Sequence, residues 1–295
     1  MTKLSVIIPT HRRADILKEC IRHLERQTIV QNIEVIVVDD ADDMKTHDVV
    51  SGQWSVAIRL INIEPCQQGV ARNEGLKYAT GEYVLFIGDD IFLEPEACAK
   101  HIEAHETWSV VSGQKQSYPL PANHYPLIAV LGHTTWDPAV GITPVMIWLE
   151  SSGWQFGYPT ISAFSHTLLP ENIQHRFTYT SHISLPLSEA KKTLFRTDVH
   201  LYGWEDIEWG MRLKHAGVRV YYEPRARALH HHHITLEESL KRMEILGRSA
   251  VEIQKKVLEF DRLPKGWKLY AYKVASLLPT IAGRHRRMFL RGVQG

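Results

Sequence analysis

Residues 83–90 read YVLFIGDD, a run of five apolar side chains that ends in a glycine and two carboxylates. An uninterrupted apolar run is typical of a strand covered on both faces in a parallel sheet. Similar runs lie upstream at residues 4–8, 35–38 and 57–63, and helical spacing of apolar residues follows the first and third of them. Strands that alternate with helices form βαβ units. The sequence therefore predicts an α/β fold with a doubly wound, mostly parallel sheet.

Polar residues follow three of these predicted strands where each strand ends. Pro9-Thr10 follows the first strand, Asp39-Asp40 the second and Asp89-Asp90 the fourth. Ligands of open α/β sheets bind outside the carboxyl ends of the strands. One Asp after a strand is more often a turn residue or a helix cap. Three such positions at one edge favour a binding site.

A second acidic cluster, Gly203-Trp204-Glu205-Asp206, precedes helical spacing in residues 207–215 and a strand-like run at 218–222. Acids at a helix N-terminus are also favoured by the helix dipole alone, so a solvated helix start is the alternative. Between the two acidic clusters, residues 117–187 are rich in Pro, Gly, His and aromatics and show little periodicity. Long irregular stretches in compact domains are usually functional or disordered, and this many aromatics argues against disorder. We expect this stretch to face the substrate.

Composition excludes several classes of protein. The 295 residues are 44% hydrophobic and 23% charged, with 34 Lys and Arg against 33 Asp and Glu. This near-neutral balance gives no field that would attract nucleic acid. Three scattered cysteines form neither a disulfide framework nor a zinc motif, and we expect reduced, buried thiols. The first strand begins close to Met1 and no apolar run reaches membrane-spanning length, so we expect a cytoplasmic protein.

The C-terminal part has a different character. Residues 235–238, TLEE, form a capping-box pattern that predicts a helix to about Phe260. Residues 265–295 contain seven basic residues and no acid, interleaved with aromatic and aliphatic side chains. This tail is either a helical pair packed on the catalytic domain or a peripheral contact with an anionic membrane surface.

Five motifs in this order resemble the family 2 glycosyltransferases of the GT-A fold: SVIIPT at 5–10, EVIVVDD at 34–40, GVARNEG at 69–75, GEYVLFIGDD at 81–90 and GWED at 203–206. The resemblance covers roughly residues 4–233. It implies inverting transfer of a sugar from a nucleoside diphosphate sugar, with a UDP-sugar favoured, to an acceptor hydroxyl in the presence of Mn or Mg. The product would be a polysaccharide or glycoconjugate, and the acceptor a carbohydrate or a lipid-linked glycan.

The resemblance also assigns residues to the donor site. It implies that the nucleoside and its diphosphate contact residues of the first half of the chain, namely Pro9, Thr10, Arg12, Asp39, Arg72 and Asp89, with Arg72 near the diphosphate. It further divides residues 1–233, as a GT-A domain, into a nucleotide-sugar-binding half (1–115) and an acceptor-binding half (116–233). Residues 234–295 are then a C-terminal helical extension.

For the chemistry, the resemblance implies that Asp90 and His230 bind the metal, that Asp206 is the general base and that Glu205 binds an acceptor hydroxyl. A divalent cation suits the charge that develops on a leaving diphosphate, and a carboxylate suits proton removal from the attacking hydroxyl. An imidazole ligand favours Mn over Mg. Among the four consecutive histidines at 230–233, His230 is favoured over His232.

The chain departs from the family pattern at two positions. Gly88 stands where the first Asp of the DxD motif often lies, so Asp89 would act through water or the sugar hydroxyls. His182 stands where many relatives carry Asn. Two alternatives remain: a GT-A-fold binding protein without strong activity, which Gly88 favours, and a sugar nucleotidyltransferase. The latter needs a Gly-rich phosphate loop, which residues 9–13, PTHRR, lack.

Overall fold

The structure is a computed structural model that describes residues 2–114, 127–198 and 202–295. The predicted boundary at residues 115 and 116 lies outside these ranges, as does the first part of the stretch predicted to be irregular. Within them the sheet contains the strands β1 Leu4–Thr10, β2 Ile33–Asp39, β3 Ala57–Asn62, β4 Tyr83–Ile87, β5 Ile91–Leu93, β6 Ile128–Trp136, β7 Thr167–Leu168, β8 His182–Pro186 and β9 Arg219–His230.

The α-helices flank this sheet or extend beyond it. They are α1 Ala14–Glu25, α2 Met44–Val50, α3 Gln68–Tyr78, α4 Ala97–Gln114, α5 Pro144–Ser151, α6 Tyr158–Ile161, α7 Leu187–Lys192, α8 Glu205–His215, α9 Leu236–Lys256, α10 Gly266–Ser276 and α11 Ile281–Gln294. No helix in the described ranges is both long and apolar enough to cross a bilayer.

The strand order is β3-β2-β1-β4-β8-β6-β9-β5, and β7 pairs with β9. Strand β1 pairs in parallel with β2 and with β4, and β2 pairs in parallel with β3. Strand β8 runs antiparallel between β4 and β6, and β9 is parallel to β6. Strands β1 to β4, β6 and β9 therefore run in one direction, which confirms the predicted α/β fold with a mostly parallel sheet.

Both faces of the parallel half are covered, as the continuous apolar runs predicted. In β1, Val6 and Ile8 face a core that includes Leu17 and Leu24 of α1. Ile7 faces the opposite core, which includes Trp209 of α8. Successive strand residues point to opposite faces, so a strand between two helical layers needs apolar side chains at every position.

The prediction of an irregular stretch at 117–187 is wrong for much of its described part. Strands β6 and β8 occupy the middle of the sheet there. Their pattern was obscured because glycine and histidine interrupt the apolar residues: Gly132 leaves the space that the ring of His182 fills, since a Cβ at Gly132 would lie 2.3 Å from that ring. The tight fit is a tertiary contact that local periodicity does not record.

The strand predicted at 218–222 is the first part of a longer strand, β9. Pro224, which cannot donate a hydrogen bond to a strand ladder, lies just beyond the predicted run. In the structure the register between β6 and β9 shifts between Leu131 and His133. Leu131 pairs with Tyr222 before the shift, and His133 pairs with Arg227 after it. Pro224 lies in this bulged stretch, and the strand continues to His230.

The predicted capping box is confirmed at the start of α9. The Thr235 hydroxyl accepts a hydrogen bond from the Glu238 N–H at 3.3 Å, and the Glu238 carboxylate accepts one from the Thr235 N–H at 2.9 Å. Helix α9 ends at Lys256, four residues before the predicted end. It packs closely on α11, where a Cβ at Gly247 would lie 2.2 Å from the carbonyl oxygen of Phe289.

Candidate active site

A cavity of about 620 Å³ lies at the carboxyl ends of the first strands. Its walls come from the loops after β1 and β4, from α3, from residues 155–181, from the start of α8, from the end of β9 and from α9. Seven of the predicted site residues line it, namely Pro9, Arg72, Asp89, Asp90, Glu205, Asp206 and His230. The topology therefore brings together residues that are more than two hundred positions apart.

Thr10 and Asp39 lie beneath this cavity rather than on its wall. They are register partners at the ends of β1 and β2, and both are buried. The Asp39 carboxylate accepts hydrogen bonds from the N–H groups of Ala41 and Asp43, at 3.0 and 2.8 Å. In this structure Asp39 holds the loop after β2, and Thr10 holds Asp89.

Asp89 is a buried carboxylate with two side-chain partners. The Thr10 hydroxyl donates to Oδ2 of Asp89 at 2.8 Å, and Nη1 of Arg13 donates to Oδ1 at 2.8 Å. Burial raises the pKa of Asp89 to about 6, and the neighbouring Asp90 adds to this rise while Arg13 opposes it. Asp89 is therefore the centre of a polar network that anchors the loop after β4.

Asp90 faces two imidazoles. Nε2 of His230 and Nδ1 of His232 lie 3.5 and 3.4 Å from Oδ2 of Asp90. Although burial acts to raise it, hydrogen bonding to His230 and His232 holds the pKa of Asp90 well below its ordinary value. The antiparallel pairing of β5 with β9 places Ile91 opposite His230, and the His231 N–H donates to the Asp90 carbonyl at 2.7 Å. Backbone pairing thus sets this arrangement.

Asp90, His230 and His232 could together hold a metal ion, because their ligand atoms lie within 4.8 Å of one another. The imidazole of His230 is oriented by stacking on Trp136, with ring centroids 5.0 Å apart. One carboxylate oxygen and two imidazole nitrogens form a donor set that suits Mn better than Mg. The residues present therefore fit a divalent transition metal.

The other two histidines of the run at 230–233 are not part of this group. Nδ1 of His231 lies 2.6 Å from Oδ2 of Asp137, and its ring stacks on Phe92. His233 is exposed. Successive residues at a strand end point in alternate directions, so His230 and His232 share a side. Both face Asp90, whereas the sequence favoured His230 over His232 as a ligand.

The lack of a side chain at residue 88 has a steric reason in this structure. A Cβ at this position would lie 2.8 Å from Oδ1 of Asp90. A larger residue would push the Asp90 carboxylate away from its place. The departure from the DxD pattern is therefore linked to the orientation of Asp90.

Glu205 and Asp206 occupy the first turn of α8, after Gly203 with a φ of +79°. The Glu205 carboxylate accepts from the Gly203 N–H at 2.9 Å, and the Asp206 carboxylate from the Ile207 N–H at 2.8 Å. Burial raises the pKa of Asp206 to about 7, and Glu205 adds to this rise while Arg72 opposes it. A carboxylate with this pKa can accept a proton near neutral pH.

Arg72 is a buried cation with free donors. Its side chain is 2% exposed, and Nη2 makes only long contacts with Oε1 of Gln68 at 3.3 Å and the Thr180 carbonyl at 3.4 Å. Nε and Nη1 have no hydrogen-bond partner in the described ranges. Burial lowers the pKa of Arg72 to about 10. A buried guanidinium with unfilled donors is costly alone, so this position favours an anionic ligand.

The family resemblance implies a donor contact at Arg12, but the structure places Arg13 in the cavity. Arg12 is exposed, has a φ of +52° and lies outside the cavity. Arg13 lines the cavity and spans both carboxylates, with Nη2 donating to Oδ2 of Asp90 at 3.0 Å. The two arginines are adjacent in the sequence, and Arg13 follows the left-handed residue Arg12.

Three further contributors were missed. Arg242 of α9 lines the cavity and donates to Oε1 of Gln155. The lining also contains the aromatic side chains of Phe156 and Tyr179. The aromatic composition of residues 117–187 was a signal for the latter two. For Arg242 there was none, because the extension was predicted as a separate unit.

His182 lies behind the cavity and does not line it. Its Nδ1 lies 3.2 Å from the Thr134 hydroxyl, and its ring packs edge-on to His101. Burial, with His101 and His133 nearby, holds the pKa of His182 well below its ordinary value. His182 is thus a neutral core residue in the middle of the sheet.

Comparison with known proteins is consistent with this geometry. Residues 5–144 match the family described as "Glycosyl transferase family 2". Validoxylamine A glucosyltransferase from Streptomyces hygroscopicus subsp. jinggangensis (strain 5008) is 29% identical over 224 residues, which cover 73% of this chain and 52% of that relative. Poly(ribitol-phosphate) beta-glucosyltransferase from Bacillus spizizenii is 31% identical over 100 residues, 32% of this chain and 16% of that relative.

Two solved structures have a similar fold over most of the chain. The mannosyltransferase PcManGT from Pyrobaculum calidifontis, in complex with GDP-Man and Mn²⁺, has a TM-score of 0.59 at 15% identity, over 99% of this chain and 86% of that one. TarS 1-349 from S. aureus, in complex with UDP-GlcNAc, has a TM-score of 0.51 at 20% identity, over 96% and 72%. The α/β architecture is that of GT-A proteins.

The chain is similar to the family 2 glycosyltransferases over residues 5–144. It spans about half the length of the first relative and a smaller share of the second.

Proposed function

We propose that the chain transfers a sugar, with inversion, from a nucleoside diphosphate sugar to an acceptor hydroxyl. One observation carries this proposal: a single cavity contains a buried arginine with free donors, a carboxylate beside two histidines, and a second carboxylate whose pKa is near 7. These groups suit, in turn, the diphosphate, a divalent metal and the proton of the attacking hydroxyl.

The donor contacts follow from this arrangement. The diphosphate would fill the free donors of Arg72, and Pro9 would contact the nucleoside at the cavity wall. Thr10, Asp39 and Asp89 would act by holding the two loops that shape the donor pocket. Relatives of known structure are described with UDP-GlcNAc and with GDP-Man, and we favour a UDP-sugar because the UDP-sugar-binding relative is the more similar in sequence.

Asp90, His230 and His232 would hold the metal, with Mn favoured over Mg by the two imidazoles. When bound, the metal supplies positive charge that stabilises the leaving diphosphate. Arg13 would keep the Asp90 carboxylate in place, because it donates to the same oxygen that faces both histidines.

Asp206 would act as the general base. Its carboxylate accepts the proton of the acceptor hydroxyl while that oxygen forms the new bond to the anomeric carbon. The bond from the anomeric carbon to the diphosphate breaks, and the diphosphate leaves with its electron pair. Glu205, which the Gly203 N–H orients, would bind an acceptor hydroxyl.

The acceptor would be a carbohydrate or a lipid-linked glycan of polysaccharide or glycoconjugate synthesis. Phe156 and Tyr179 offer aromatic faces for a sugar ring, and Gln155 offers an amide. We keep the division into 1–115, 116–233 and 234–295 as a proposal, although Arg242 brings the helical extension into the acceptor side. A cytoplasmic location with peripheral contact to the membrane is part of the same proposal.

Calorimetry tests the donor assignment most directly. UDP, GDP and dTDP are titrated into the chain with Mn present, and the R72A variant is titrated beside the wild type. We expect one nucleotide to bind and its affinity to fall in R72A. If none of the three nucleotides binds, the donor site is rejected. If a nucleotide binds but no sugar is transferred from its nucleotide sugar to any acceptor, the non-enzymatic alternative is favoured.

A further inference from the structure

Helix α10 presents an apolar face that no described residue covers. Its exposed large side chains are 50 to 76% accessible. They recur at helical spacing along one side of the helix and beyond its end, and they are Trp267, Tyr270, Val274, Leu277 and Leu278. We call these five residues the α10 face.

The opposite side of α10 is the packed one. Tyr272 joins the core cluster that contains Phe289 of α11, and Ser276 is buried. The guanidinium of Arg286 lies over the Tyr272 ring at 5.6 Å, and Arg287 donates to the Ser276 carbonyl at 3.0 Å. Helix α10 is therefore anchored through one side, and the α10 face is free to contact something else.

Lysines border the α10 face on both sides. At about 100° of rotation per residue, Lys268 and Lys273 fall between the packed side and the apolar face, one at each edge. Lys265 precedes the helix. All three are exposed, and they have no ion-pair partner among the described residues. The chain has no Asp or Glu after Asp261, so no nearby acid in the sequence balances them.

This arrangement matches a helix that lies in the plane of a membrane surface. Aromatic and aliphatic side chains enter the boundary between headgroups and acyl chains, and lysines at the edges reach anionic headgroups. A face for a second protein would have fewer lysines, since lysine is depleted at protein interfaces. We infer that the α10 face is the surface through which the protein binds an anionic lipid bilayer.

The two readings of the C-terminal tail thus apply to different helices. Helix α11 is packed, with Phe289 and Leu290 buried, and α10 carries the membrane contact. Arg286 also lies over the Trp154 ring at 5.4 Å, next to Gln155 and Phe156 of the cavity wall. A membrane contact through the α10 face deepens the proposed function, because a lipid-linked acceptor would reach the cavity at the same surface. It rests on the proposed function in this respect only.

Vesicle sedimentation of the full chain tests the inference. The probes are vesicles of phosphatidylcholine alone and of phosphatidylcholine mixed with phosphatidylglycerol, each at low and high salt. The apolar variant is W267S/Y270S/L277S, with M44S as control, because Met44 is an apolar residue of α2 that is 71% exposed. The charge variant is K268Q/K273Q, with K18Q/K45Q as control, since these two lysines are exposed on α1 and α2.

We expect the wild type and both controls to sediment with the anionic vesicles at low salt and less at high salt. The charge variant should bind roughly 5-fold more weakly per lysine removed, and the apolar variant more than about 10-fold more weakly. All of these side chains are exposed, so the melting temperatures should remain close to that of the wild type.

Equal sedimentation of wild type and apolar variant, or no sedimentation at all, would overturn the inference. Light scattering without vesicles adds a second outcome: a wild-type dimer that the apolar variant disperses would assign the α10 face to a second copy instead. Nucleotide binding is measured in parallel without lipid. A wild type that binds nucleotide but does not sediment with the anionic vesicles rejects only the membrane contact, and a wild type that sediments but binds no nucleotide rejects only the donor site.

Discussion

Nε2 of His230 lies 3.5 Å from Oδ2 of Asp90, although the two residues are 140 positions apart. The contact exists because β5, directly after Asp90, pairs antiparallel with the end of β9. The His231 N–H bonds the Asp90 carbonyl, so the backbone holds the strand end against the acidic loop.

From this relationship we expect His230→Ala and His232→Ala each to weaken Mn binding. Removing a residue that only hydrogen-bonds to a metal ligand lowers metal affinity by roughly 10- to 100-fold, so removing a ligand itself should lower Mn affinity by at least as much. His233→Ala is the matched control, because His233 is exposed and outside the group. Calorimetry with Mn in the presence of nucleotide gives the affinities. Equal affinities in all three variants would exclude a histidine ligand.

Asp206 should determine both rate and pH dependence. Asp206→Asn should lower kcat by about 100- to 10,000-fold with nucleotide affinity unchanged, because the amide keeps the shape and loses the basicity. In the wild type, kcat/KM should fall below pH 7, where Asp206 becomes protonated. Near-normal turnover in the Asn variant would move the base to another residue, with Glu205 the first candidate.

The same substitution has a stability signature. A carboxylate whose pKa is raised in the folded state destabilises that state once pH exceeds the unfolded pKa, and the effect is complete above the folded value of about 7. Asp206→Asn should therefore melt at or above the wild-type temperature at pH 8. At pH 4 the difference should vanish. A lower melting temperature at pH 8 would mean that the carboxylate is well compensated.

The neighbours of Asp206 allow a paired test of opposite sign. The charged and titratable groups that face it are Glu205, Arg72, Arg242, Tyr179 and Arg262. Glu205→Gln removes a negative neighbour and should shift the acidic limb of the pH profile to lower pH. Arg242→Gln removes a positive neighbour and should shift it to higher pH.

Controls for this pair come from α9. Glu237 and Lys241 are exposed, so Glu237→Gln and Lys241→Gln change the net charge by the same amounts away from the cavity. Neither should move the profile. Shifts of the same sign in both test variants, or equal shifts in the controls, would show that the charges around Asp206 do not determine the pH at which activity falls on the acidic side.

Arg13 and Arg12 should differ in their contribution to stability. Arg13→Gln leaves Asp89 buried without its cation and should cost about 1–3 kcal/mol. Arg12→Gln is expected to stay within about 0.5 kcal/mol, because Arg12 is exposed. Urea denaturation gives both free energies of unfolding. A loss at Arg12 as large as at Arg13 would contradict the assignment of the anchoring cation.

The sequence by itself determined the parallel half of the sheet and the start of α9. The runs at residues 4–8, 35–38 and 83–87 and the TLEE pattern at 235–238 are local signals, because periodicity and capping involve residues a few positions apart. The carboxyl ends of parallel strands lie at one edge of the sheet, where ligands bind. This placed Asp89, Asp90 and Pro9 at one edge without knowledge of the remaining strands.

Tertiary structure alone decided the other half of the site. Strand β8 lies in the middle of the sheet, where the His182 ring packs against Gly132. His232 joins Asp90, and Arg242 reaches the cavity, only once β9 and α9 have packed. These choices depend on pairings between distant segments, whose energies come from burial and register that no local pattern in a single sequence contains.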